Sequence, residues 1–317
     1  MSSLKTGLKR LAFRWRGYRL EHLRNRCRIL AYHMITPSLN GFYPQTQTDV
    51  FRREMEHLAA NYRVLPLEEL GRRLREGRSV RGCIAITFDD GFRDNYTNAY
   101  PVLKALGLPA TIFLITECVD TGRLPWFIGL RRLFMETTHE SLDLEMEGGR
   151  VSLNLKDSFH RKQASDRVMA WVQQMPDEKR KNILEELHER LGGALMDPLE
   201  NIMLTWDQVR EMSNNGIRFG AHTVSHPVLR ATGAAKLLEE ISRSRDRIWQ
   251  ETGLPVSTFA YPFGRRSHYP RETPALLEKL GFVCAVTTEP GTNDFHTPIY
   301  ELKRSPPWEF SLLSDGT

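Results

Sequence analysis

The sequence predicts an α/β protein built on a parallel sheet or barrel. Three observations carry this. Short apolar runs alternate with amphipathic segments; several of those segments end on glycine, as helix C-caps do; and the next apolar run follows within a few residues. With 317 residues, 40% of them hydrophobic, the chain can bury the core of one large α/β domain or two ordinary ones.

The runs RILAYHMI (28–35), CIAITF (83–88), ATIFLI (110–115), GIRFGAH (216–222), STFAY (257–261) and FVCAVTT (282–288) read as buried strands. Between them DVFRREMEHLAANY, NAYPVLKALG, TWDQVREMSNNG, AAKLLEEISRSRDRIWQETG and TPALLEKLG carry helical patterns. One interval breaks the rhythm. Residues 119–204 hold a Trp-rich opening, LPWFIGLRRLF, a polar middle and a charged helical stretch, with no core strand. They are expected to form a mainly helical insertion that shapes access to a site at the strand ends.

The net charge of +5 is local. Residues 1–28 hold nine Lys or Arg and one Glu, which leaves the remaining 289 residues at −3, so no basic face for nucleic acid is implied. Within 1–28, Leu4, Leu8, Leu11, Trp15 and Tyr18 line one side of a helix, while most of the basic residues lie off that line. Such a helix either packs on the body at 29–317 or lies on an anionic membrane surface. Its longest apolar run is too short for a secretory signal, and no later segment reaches the ~18 apolar residues of a membrane span. The four cysteines, Cys27, Cys83, Cys118 and Cys284, form no C-x-x-C pair, which favours a reducing compartment over a disulfide framework. A cytoplasmic protein, held at most peripherally at the inner face of the membrane, is expected. No protein partner is identifiable.

Chemistry enters where strands end. Asp89 and Asp90 sit side by side after CIAITF and before a glycine. As a turn this is ordinary, but adjacent carboxylates repel and raise each other's pKa unless a cation or donors compensate. His222 and His226, four apart after another strand, can share a face and reach one ion. Two neutral imidazoles and one carboxylate make a three-ligand site with open positions, as in catalytic metal centres. A third strand ends in FAYPFG, where Pro262 and Gly264 mark a turn.

T-F-D-D-G, H-T-x-x-H and F-A-Y-P-F-G, in that order and spacing, closely resemble the signature of the polysaccharide deacetylases, the NodB-homology domain of carbohydrate esterase family 4. The resemblance spans roughly residues 29–304. It implies a distorted (β/α) barrel, usually of seven strands, one divalent metal ion, and removal of an acetyl group, mostly N-linked, from a carbohydrate. Carried over by motif, Asp90, His222 and His226 hold the ion, with zinc first and cobalt or nickel able to take the same geometry. Asp89 becomes the base that takes a proton from water acidified by the cation. The backbone N–H of Phe263, in a turn with Tyr261, Pro262 and Gly264, becomes a donor to the oxyanion.

Two departures follow. Many members draw the general acid from a C-terminal L-x-H, whereas Leu302-Lys303-Arg304 stands here, and arginine is always protonated. Ala260 occupies a position that often carries an arginine holding the base, a contact Arg304 is expected to restore from another strand. The run LAYHMITP resembles the Y-H motif of the exopolysaccharide branch, the poly-N-acetylglucosamine deacetylases. His33 is therefore the expected acid and His296, in TNDFHTP, its rival. The substrate expected is an N-acetylated sugar, lipid-linked or on its way to a surface glycan. The alternatives are an amidohydrolase of a non-sugar acetylamide and an inactive carbohydrate-binding relative.

Overall fold

The computed structural model describes residues 25–39, 43–146, 148–192 and 202–307. The amphipathic stretch expected over 1–28 lies almost wholly outside them.

Seven strands form the central sheet: β1 (Arg28–Tyr32), β4 (Arg63–Val64), β5 (Cys83–Phe88), β6 (Thr111–Leu114), β9 (Arg218–Ala221), β10 (Thr258–Ala260) and β11 (Cys284–Val286). All pairings are parallel, in the order β1-β5-β6-β9-β10-β11, with β4 also paired to β5. The six apolar runs of the sequence are six of these strands. Every residue of β5 is buried, as a strand covered on both faces requires. The helices Thr48–Asn61, Tyr100–Leu106, Trp206–Asn214, Ala234–Thr252 and Thr273–Lys279 coincide with the amphipathic segments. Gly107 and Gly253 end two of them at φ 62° and 67°.

The sheet curls into a half-barrel, and Leu302–Ser305 lies across its gap. Leu302 bridges Val286 of β11 and Ser305 bridges Leu30 of β1, both in parallel register. This segment is too short and polar to read as a strand; its pairing depends on the two edges it joins. The edge valine and leucine thereby gain partners that an open sheet would leave unpaired.

The interval 119–204 stands apart from the central sheet. Its helices Trp126–Glu136, Ser158–Val172 and Asp177–Leu191 and the antiparallel hairpin β7 (Ser141–Met146) and β8 (Gly149–Asn154) enclose a second apolar cluster, which also takes in Phe92 and Ile115 from the strand ends. The hairpin replaces the featureless polar middle that the sequence suggests. Leu142 and Leu144 are buried with period two, Asp143 between them, in a run too short for the alternation to stand out among its polar neighbours. A two-stranded sheet, β2 (Met34–Thr36) with β3 (Gln45–Gln47), continues from β1 over the site end of the barrel.

Candidate active site

The site lies at the C-terminal ends of β1, β5, β9 and β10. Asp90 (φ 75°), Thr223 (φ 68°), His226 (φ 56°) and Phe263 (φ 59°) are the non-glycine residues with positive φ among the described residues, and all four belong to these strand-end turns. Each such conformation costs about 1–3 kcal/mol and persists where surrounding structure over-determines it. The strain therefore sits where three chain segments meet.

Asp90, His222 and His226 are all buried, and one potential ligand atom from each lies within 4.8 Å of the others. His222 Nδ1 pairs with Ala260 O at 2.8 Å, which leaves Nε2 facing Asp90 Oδ1 at 3.4 Å. His226 Nε2 stands 3.8 Å from the same oxygen. Burial, reinforced by His222, pushes the His226 imidazole down to about 3, so it is neutral near pH 7. Burial lowers the His222 pKa, but the Asp90 and Asp89 carboxylates outweigh this and raise it. Two buried imidazole nitrogens and a carboxylate oxygen are a donor set that suits a divalent ion such as zinc, with further positions left for water or substrate. The His222 bond to a backbone carbonyl is the outer partner that fixes a ligand's tautomer.

The loop between the histidines is built from beneath. Glu240 on the helix Ala234–Thr252 accepts the N–H groups of Val224 and Ser225, both at 2.9 Å, and the Ser225 hydroxyl at 2.9 Å. Thr223 Oγ1 accepts the His226 N–H at 3.0 Å, and Trp126 Nε1 donates to His226 O at 3.0 Å. Sequence reading missed Glu240. Its signal is an acid in line with buried Leu237, Ile241 and Ile248 on one helix face.

Asp89 is buried and held bidentately by Arg304, Nη1 to Oδ1 and Nη2 to Oδ2, both at 2.7 Å. Arg304 reaches it from the closing segment, itself held through Nε to Thr287 O at 2.8 Å. Burial raises the Asp89 pKa, but the Arg304 guanidinium, with His222 and His33, outweighs this and holds the carboxylate below its usual range. It is thus ionised at neutral pH. His33, at the β1–β2 junction, places Nε2 3.8 Å from Asp89 Oδ2 with its side chain 22% exposed. Asn95 Nδ2 anchors the His33 carbonyl at 2.7 Å, from an irregular turn that follows the D-D-G motif.

The third motif divides. Phe263 packs its ring 4.7 Å from that of His226 and 5.8 Å from that of Phe127. Tyr261 turns the other way. Its backbone N–H extends the β10–β11 pairing to Val286 O, its ring stacks on Tyr269 at 3.9 Å, and its hydroxyl donates to Tyr300 O. Its side chain thus belongs to the core, not to a substrate surface. Pro262 is buried, and Gly264 (φ 66°) is needed because a Cβ there would lie 2.6 Å from Thr288 N. His296 is not brought to the site. It is exposed, three residues beyond Asn293, which pairs with Cys27 at the opposite end of β1.

Tyr43 has no signal in the sequence. It stands in the turn before β3, and its hydroxyl donates to Asp90 Oδ2.

A curled parallel half-barrel with its polar cluster at the strand ends defines a NodB-type carbohydrate deacetylase fold. A profile of the polysaccharide deacetylase family matches residues 76–285, and the chain belongs to that family. It is 26% identical over 278 residues to YxkH of Bacillus subtilis (strain 168), provisionally named a polysaccharide deacetylase, covering 87% of this chain and 69% of that protein. It is 24% identical over 217 residues to the poly-beta-1,6-N-acetyl-D-glucosamine N-deacetylase of Staphylococcus epidermidis, covering 64% and 74%. Among solved structures, IcaB from Ammonifex degensii superposes with a TM-score of 0.59 at 19% identity, covering 92% of this chain and 96% of that one. Streptococcus pyogenes deacetylase PplD in complex with acetate gives 0.61 at 20% identity, covering 91% and 97%.

Proposed function

We propose that the protein is a metal-dependent deacetylase that hydrolyses the N-acetyl group of a carbohydrate, a surface-glycan intermediate or a lipid-linked sugar precursor. One observation carries the reading: an ionised carboxylate, Asp89, lies beside a buried three-donor cluster, with a partly exposed histidine on its other flank. When bound by Asp90, His222 and His226, a divalent ion, zinc first, supplies Lewis-acid polarisation of the amide carbonyl and acidifies water.

The chain's residues do the rest. Asp89 accepts the proton of the attacking water, with Arg304 fixing the orientation of its two oxygens. The tetrahedral oxyanion is met by the Phe263 N–H, a type of donor worth about 3–4 kcal/mol. The amide nitrogen cannot leave as an anion, and His33 hands it a proton. The family relationship, together with a curated relative named for N-deacetylation of poly-N-acetylglucosamine, supports the N-acetylated sugar as substrate. Residues 1–28 would hold a cytoplasmic enzyme at the inner face of the membrane, beside a lipid-linked substrate.

Acetate release across free, nucleotide-linked, lipid-linked and oligomeric N-acetylhexosamines tests this. Asp89→Asn is expected to retain the metal and lose hydrolysis, whereas His222→Ala is expected to lose the metal, read by elemental analysis. Near-normal turnover in Asp89→Asn sinks the base assignment. Acetate from an acetylated polyamine but from no sugar moves the protein to the non-sugar amidohydrolases.

A further inference from the structure

We propose that Tyr43 is a positioning residue for Asp90, and that the insertion holds Tyr43 in place through Phe127. The inference rests on the metal reading above. The two oxygens of Asp90 have different surroundings. Oδ1 faces the Nε2 atoms of His222 and His226, at 3.4 and 3.8 Å. Oδ2 accepts the Tyr43 hydroxyl. Asp90 is 1% exposed, so bulk water is not at hand to satisfy the outer oxygen. A buried carboxylate that offers one oxygen to an ion needs a donor on the other, both to satisfy it and to stop the group rotating.

The Tyr43 ring is held on three sides. It stacks on Phe127 with centroids 5.9 Å apart and planes at 25°, and it stands edge-on to Phe92 at 5.3 Å and to His33 at 5.5 Å. Phe127 opens the insertion's helix Trp126–Glu136, and its ring lies 4.5 Å from that of His226. One insertion residue therefore touches a metal-ligand histidine and, through Tyr43, supports the metal-ligand aspartate. The hydroxyl is directed at Asp90, which makes Tyr43 a support for the ligand set.

The test is the zinc affinity of the full metal-free chain, measured with Zn2+ alone against a chromophoric chelator. Tyr43→Phe keeps the ring and removes the O–H; it is expected to weaken zinc binding about 10–100-fold in a metal-free protein that still folds, its melting lowered because Asp90 Oδ2 loses its donor. Phe127→Leu is expected to weaken binding in the same direction with Tyr43 intact. The double variant is expected to lose less than the product of the two single losses, because part of the Phe127 effect, beside its direct contact with His226, passes through the Tyr43 hydrogen bond. Zinc affinity in Tyr43→Phe indistinguishable from the parent overturns the positioning role. Fully multiplicative losses in the double variant overturn the link through Phe127. A parent chain that takes up no zinc overturns the metal reading itself, which separates that failure from the other two.

Discussion

Arg304 is fully buried, and a lone buried cation would be costly; its partner Asp89 is a carboxylate in the same position. Each makes the other tolerable through two parallel hydrogen bonds of 2.7 Å, a geometry lysine cannot reproduce. The same pairing keeps Asp89 ionised and fixes its two oxygens, as the proposed base role requires. His33 differs in kind: it is partly exposed, and its nearest carboxylate stands at 3.8 Å. If it protonates the leaving nitrogen, His33→Ala lowers turnover on amide substrates by roughly 10²–10⁴. On an activated acetyl ester, whose leaving group needs no proton, the loss is expected to be small. Equal losses on both substrates would reduce His33 to a structural support.

At the scale of elements, the helix Thr48–Asn61 packs an acid against the strand that delivers His33. Glu54 is buried; Tyr32 donates to its Oε2 at 2.8 Å, and its Oε1 has no partner among the described residues. Burial pushes its carboxyl up to about 7, with Tyr32 and Arg53 only partly offsetting this. The folded state therefore keeps a proton that the unfolded chain releases near the ordinary glutamate pKa of about 4.3. This contribution to stability is complete below that value and is lost as pH rises through about 7. Glu54→Gln accepts the same hydroxyl without ionising. Urea midpoints are expected to show the variant gaining on the parent between acidic and mildly alkaline pH; a constant difference across that range would mean that Glu54 is not protonated in the fold.

For the whole molecule, two additions to the barrel divide the labour. The insertion brings Trp126 and Phe127 to the histidine loop, closing the apolar side of the site. Among the described residues no helix is long and apolar enough to cross a membrane; the attachment proposed above is assigned to residues 1–28 on their charge and apolar spacing. The full chain is then expected to co-sediment with anionic vesicles at low salt and to release as salt rises, since each basic residue near the surface contributes about 1 kcal/mol that screening removes. A chain beginning near Cys27 is expected to stay in solution, act on a water-soluble substrate and leave the vesicles behind. Vesicle binding unchanged by that truncation would place the attachment elsewhere.

The sequence by itself determined what is local and periodic. Six strands showed as apolar runs and five helices as amphipathic repeats, and the motif spacing placed Asp89, Asp90, His222 and His226 at strand ends, because a parallel sheet exposes its turns on one side. Only the tertiary structure decided contacts between segments distant in the chain. The sequence offered Arg304 as a partner for Asp89, but that the two meet across 215 positions, from a closing segment whose polar residues carry no strand pattern, is seen only in the folded chain. Tyr43 reaches Asp90 from a turn, and Tyr261 turns away from the site because its hydroxyl is taken by Tyr300. The Y-H resemblance set His33 above His296 in the sequence. The assembled barrel puts His33 beside Asp89 and His296 near Asn293, whose bridge to Cys27 lies at the other end of β1, since which end of a strand a residue occupies is a property of the assembled sheet and not of its neighbours in the chain.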